Sequence, residues 1–170
     1  MKTLLATLAL FFVVAVSPLL GQGDDESTRK TLAGLHGVRV VVRMSDSDET
    51  RTPGLSQSQL QTDVEIKLRQ AGITVLSQQE APSGPTLGVN VSLLNVSSPT
   101  NPLGIYAVSL TVELHQLVRL TRNPSVTVWV STWSTTGQFG TTAHLSSVRD
   151  IVRDMTDQFI NAYLAANPKR

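Results

Sequence analysis

The chain has no cysteine among its 170 residues. Disulfides, on which small exported domains often rely, are therefore excluded, and an apolar core must hold the fold together. Thiol nucleophiles, cysteine-ligated zinc and lipobox-type acylation are excluded with them. Net charge is nearly absent too. Fourteen Lys and Arg oppose 13 Asp and Glu, and one base, Lys2, lies in an N-terminal leader. Without the leader the signs balance, so charge gives no case for nucleic acid as a partner. No apolar run reaches the roughly 20 residues needed to span a bilayer. There is no internal repeat and no low-complexity tract.

What the N-terminus does contain is the tripartite pattern of a secretory signal peptide. Lys2 supplies the positive n-region. Leu4 to Val16 carries no charge and is broken only by Thr7. Pro18 then breaks the helix, and Gly21 and Gly23 offer the small side chains that signal peptidases accept. The expected cleavage point follows Gly23, with Gly21 as the second choice. The expected organisation is a leader over 1–23, a flexible lead-in over 24–36 and one domain over 37–168. The expected location is periplasmic or extracellular, with no integral membrane span after cleavage.

Past the leader, hydropathy alternates between periods of two and 3.6. Val38-Arg39-Val40-Val41-Val42-Arg43-Met44 reads as a strand covered partly on both faces. Ser56 and Gln59 have capping-box spacing, with Leu55 and Leu60 at the staple positions. Leu60, Val64, Leu68 and Ala71 follow as one helical stripe, and Gly72 closes the helix. Ile73 to Leu76 reads as the next strand, parallel to the first across a right-handed crossover. Leu87 to Leu94, Ile105 to Leu120 and Val126 to Ser131 alternate strictly and read as an antiparallel meander. Thr135 to Thr142 reads as a polar connection. Ser147 to Ala166 reads as a final helix, with a Ser147/Asp150 capping box and a buried stripe of Val148, Ile151, Val152, Met155, Phe159 and Ala162. Arg149, Arg153, Asp154 and Asp157 are expected to face water. The order β-α-β-β-β-β-α predicts an α+β fold, a two-layer sandwich. Its mixed sheet would have about five strands, with both amphipathic helices on one face.

This order of elements resembles the α/β domain at the N-terminus of TolB and the related domain of CsgG. Leu55-Ser56-Gln57-Ser58-Gln59-Leu60, leading to Ala71-Gly72-Ile73, carries that likeness over roughly Val38 to Ala166. The chain also resembles a group of uncharacterised exported bacterial proteins through Gly37-Val38-Arg39-Val40-Val41-Val42 and Thr132-Trp133-Ser134-Thr135. TolB carries a β-propeller after this domain, and CsgG-like proteins are anchored by a lipid on a cysteine that is missing here. The resemblance implies an envelope setting and a binding role.

Signatures of chemistry are missing. His36, His115 and His144 are dispersed, without metal-ligand spacing. No serine stands in a G-x-S-x-G or S-x-x-K context. Asp46, Asp48 and Glu49 crowd one loop but lack EF-hand spacing. Gly137-Gln138-Phe139-Gly140-Thr141-Thr142 suggests a phosphate loop without its Lys-Ser/Thr. No catalytic residue, metal or cofactor is assigned, and the chain reads as a non-enzymatic interaction domain. A hydrolase with an unannounced site, or a small-molecule carrier, is the alternative.

Trp129 and Trp133 stand four apart on the fifth strand and share a face unless a bulge intervenes. Either they or Val126, Val128 and Val130 meet the helices. A five-residue turn pairs Val118 with Val128, and a four-residue turn pairs it with Trp129. Tryptophan is seldom fully buried, which favours the valines inside. In that arrangement Trp129, Trp133, Leu117 and His115 form a patch on the open sheet face. Its partner would be an envelope protein or a second copy of the domain.

Overall fold

The computed structural model describes residues 24–45, 54–96, 104–135 and 137–168. The expected leader with its cleavage point, and the acidic residues Asp46, Asp48 and Glu49, lie outside these.

Residues from Asp24 onward make both local and long-range contacts. Asp25 caps a short helix, α1 (Glu26–Lys30), accepting the Thr28 N–H at 2.8 Å while the Thr28 hydroxyl accepts the Asp25 N–H at 3.0 Å. Leu32, just beyond, is fully buried. Asn167 ties the segment to the C-terminal end of the chain by bonding the Gly34 N–H and the Leu32 carbonyl. Residues within 24–36 thus pack against the rest of the chain through Leu32, Gly34 and Asn167.

Strand β1 (Arg39–Met44) leads into helix α2 (Gln57–Gln70). Leu55 and Leu60 are both buried, as a staple requires, but the capping box does not form. The Ser56 hydroxyl bonds that of Ser58 instead, at 2.8 Å. The helix ends in a Schellman motif: the Ile73 N–H reaches the Leu68 carbonyl and the Gly72 N–H that of Arg69. Gly72 sits at φ +80°, and an added Cβ would meet nothing within 4 Å. Gly72→Ala is thus expected to cost about 1 kcal/mol from backbone conformation alone. Urea titration checks this, and an unchanged midpoint would contradict the motif. The strand expected over Ile73 to Leu76 shrinks to a single parallel bridge, Val38 to Val75. A Ser77–Glu80 turn, closed by reciprocal side-chain to backbone bonds, pulls the chain away.

Strands β2 (Thr86–Asn95), β3 (Tyr106–Leu120), β4 (Asn123–Ser134) and β5 (Gln138–Thr142) complete a mixed five-stranded sheet. β1 runs parallel to β2, and β2 antiparallel to β3. β4 and β5 lie end to end along the other edge of β3. The fifth strand is thus the segment expected as a polar connection, not Ile73 to Leu76.

Helix α3 (Ser146–Ala166) buries Val148, Val152, Met155, Thr156, Phe159, Ile160 and Ala162. Its expected capping box is absent because Ser147 lies inside the helix and Asp150 pairs with Arg153. Arg149 and Asp157 do not simply face water. They bridge to Asp63 and Lys67 of α2 at 2.6 and 2.8 Å. All three helices lie on one face, over a core that includes Val40, Leu87, Val89, Leu110, Val112 and Leu114. The described residues form an α+β fold of five strands and three helices.

Candidate functional site

No described element covers the other face of the sheet. Alternation sends Val108, Leu110, Val112 and Leu114 of β3 to the helices, so Ser109, Thr111, Glu113, His115 and Leu117 point the opposite way. The β3–β4 pairing matches Val118 with Val128 and Leu117 with Trp129. This is the register of the five-residue turn. Trp129 and Leu117 therefore stand on the open face, exposed by 46% and 45%.

Trp133 does not join them. The register slips between Leu114 and His115: Leu114 faces Trp133, whereas His115 faces Ser131. The bulge inserts one residue and reverses the side-chain alternation. Trp133 turns to the helix side, where it is 1% exposed and meets the Phe159 ring edge-on at 5.2 Å. Its indole N–H finds an acceptor in Asp24, at 3.0 Å. That bond, together with the Arg29 guanidinium as the larger influence, holds the Asp24 carboxyl below the usual carboxylate range. The expected four-residue patch thus keeps Trp129, Leu117 and His115 and loses Trp133 to the core.

The structure adds residues that sequence reasoning did not select. Arg39 and Arg43, four apart on β1, share the open face, and parallel pairing places Arg39 beside Thr86 and Arg43 beside Asn90. Thr86 in turn pairs with His115 across β2 and β3. Arg39, Arg43, Thr86, His115 and Trp129 line a depression of about 230 Å³. Gly88 lies next to two of these side chains: a Cβ there would be 3.6 Å from the His115 ring and 3.7 Å from the Arg43 guanidinium. The signal for this site was present as two arginines at strand spacing i, i+4 among valines.

The charges are uneven. Arg29, Arg69, Arg149 and Arg153 each pair with a carboxylate. Arg39 instead bonds neutral acceptors, the side chains of Gln78 and Thr86 and the Pro82 carbonyl. Its Nε is buried with no hydrogen-bond partner. Arg43 makes no hydrogen bond or ion pair with a described residue. Glu113, on the same sheet face, lies 3.2 Å from His115 Nε2.

A second concavity, a groove of about 470 Å³ between α2 and α3, is rimmed by Asp63, Lys67, Arg149 and Arg153. These ions are already paired with carboxylates or bases on the same two helices. Among the described residues, no Ser or Thr hydroxyl bonds a histidine ring. The Thr86 hydroxyl accepts from Arg39 and donates to the Gly84 carbonyl. No three His, Asp or Glu side chains among the described residues converge as a metal site would require. No described helix is long and apolar enough to cross a membrane.

Fold and site together define a two-layer α+β domain with one sheet face open. Two solved structures align with much of this chain. One is the PelC dodecamer from Paraburkholderia phytofirmans, 21% identical, covering 81% of this chain and 93% of its own, with a TM-score of 0.36. The other is the rare lipoprotein B from Shewanella oneidensis, 17% identical, covering 75% and 92%, with a TM-score of 0.27. Neither is the TolB or CsgG domain that the element order resembles. No protein-family model and no curated protein matches the chain.

Proposed function

We propose that this is an exported, non-enzymatic binding domain of the bacterial cell envelope, and that its open sheet face meets an acidic envelope protein. The observation that carries this is the composition of that face. Trp129 and Leu117 are half exposed beside Arg39 and Arg43, whose charges meet no described carboxylate. Exposed tryptophan and arginine are the side chains most enriched at binding hot spots. The signal-peptide pattern of residues 1–23 supports the location.

Charge also separates the two partners the sequence allowed. A two-fold dimer through this face would set the same patch against itself. Arg39 and Arg43 of both copies would then share one interface with only Glu113 of each copy to offset them, which favours an acidic partner. The double variant Trp129→Ala, Leu117→Ala tests this. It is expected to melt like the parent, because neither side chain is buried, and to lose capture of a salt-elutable acidic partner from envelope extracts. Sedimentation at tens of micromolar should show a monomer for both. A parent dimer that the double variant abolishes would assign the face to self-association instead.

A further inference from the structure

We propose that the depression formed by Arg39, Arg43, Thr86, His115 and Trp129 beside Gly88 is a site for an oxyanion group, carboxylate or phosphate, carried on a flat ring. The proposal deepens the reading of the open face as the binding surface and rests on it. Four observations meet here. Two guanidiniums line one cavity, and neither makes an ion pair with a described carboxylate, Glu113 of the same face lying against His115 instead. A fork of guanidinium donors matches the geometry of carboxylate and phosphate oxygens. Arg39 is braced from behind by Gln78, Pro82 and Thr86, so its charge is held in place before any ligand arrives. The buried Arg39 Nε has no acceptor among the described residues, which is uncommon in a folded protein.

The remaining lining fixes what carries the anion. Trp129 supplies an exposed indole at the rim, a surface on which a planar ring can lie. Gly88 leaves open the space beside the His115 ring and the Arg43 guanidinium that a side chain would fill. Because Gly88 has an ordinary strand conformation, the space and not the backbone is what its lack of a side chain provides. At about 230 Å³ the depression is smaller than the sites of about 300–1,000 Å³ that enclose whole ligands. It therefore takes a single ring with its charged group, whether free or at the end of a larger molecule.

The test is a titration of the ¹⁵N-labelled protein with four probes, reading the two indole N–H signals. Phenyl phosphate and benzoate carry ring and charge, inorganic phosphate carries charge only, and phenol carries the ring only. The ring-bearing anions should shift the Trp129 signal saturably and leave the buried Trp133 signal in place. Inorganic phosphate should bind more weakly, and phenol should leave both signals unmoved. Whichever aryl anion binds tighter identifies the oxyanion. Arg43→Gln, at an exposed position, and Gly88→Val, which fills the space beside His115 and Arg43, should each weaken binding by about tenfold or more while melting like the parent. Equal shifts with phenol, or unchanged affinity in both variants, would overturn the proposal. The broader reading fails separately. If Trp129→Ala, Leu117→Ala leaves partner capture intact while the anions still titrate the parent, the pocket stands and the docking face does not. If Gly88→Val keeps capture and the parent ignores the anions, the face stands and the pocket does not.

Discussion

Phe159→Ala is expected to destabilise the domain by about 3–5 kcal/mol. Phe159 has no exposure at all and sits at the centre of the helix layer. It meets the edge of Trp133 at 5.2 Å and tilts against Tyr163 at 6.1 Å. Truncation removes the transfer energy of the ring and leaves a void, because Trp133 on the sheet cannot follow α3 without breaking its bond to Asp24. Aromatic pairs of this geometry add about 0.5–1.5 kcal/mol beyond area burial, which pushes the cost toward the upper end. Natural domains have only about 5–15 kcal/mol in total, so the variant should approach the limit of folding. Urea titration should show a lower midpoint with an unchanged slope. A loss below about 1 kcal/mol would mean that α3 is not docked through this ring.

The same pair of residues shows where the sequence is legible and where it is not. The stripe containing Phe159 recurs at helical spacing along the 21 residues of α3, and no local choice can reverse it. The alternation of Leu87 to Leu93 and of Val108 to Leu114 is equally firm, since each inward residue confirms the last. Trp133 depends instead on one inserted residue. A bulge leaves no mark in composition, yet it reverses the face of every residue after it. β5 escaped for a different reason. Gln138-Phe139-Gly140-Thr141-Thr142 has little apolar content, and pairing along the free edge of β3 makes it a strand where propensity does not. The capping boxes at Ser56 and Ser147 failed through competition: the first hydroxyl found another hydroxyl, and the second serine fell within the helix. The open face was legible in part. Trp129 and Leu117 could be placed once a turn length was chosen. Arg39 and Arg43 could not be brought to His115, because that requires knowing that β2 lies between β1 and β3.

The second large effect lies at the N-terminal edge of the domain, where the sequence suggested a flexible tether. Leu32→Ala is expected to cost about 2–5 kcal/mol, the range for a leucine with no exposure. An unstructured tether would show no change. Leu32 does not act alone: the Tyr163 hydroxyl donates to the Leu35 carbonyl at 2.6 Å, and Asn167 clasps Gly34 and Leu32. Upstream, Asp24 receives both the Trp133 indole N–H and the Arg29 fork. Because these contacts depress its folded pKa, with the Arg29 bond the largest cause, Asp24 contributes stability that is present above the unfolded value, about 3.9. That contribution is lost as pH falls through the lower folded value. Asp24→Asn should therefore be less stable than the parent at pH 6 to 7, and the gap should close as both are acidified below about pH 4. Leu32→Ala should instead lose the same amount at both pH values, since no proton is exchanged at that site. Denaturant midpoints of the three proteins at pH 7 and pH 3 check both statements together. If Leu32→Ala melts like the parent, or if the Asp24→Asn gap persists in acid, then residues 24–36 are not anchored to Trp133 and α3 in the way these contacts require.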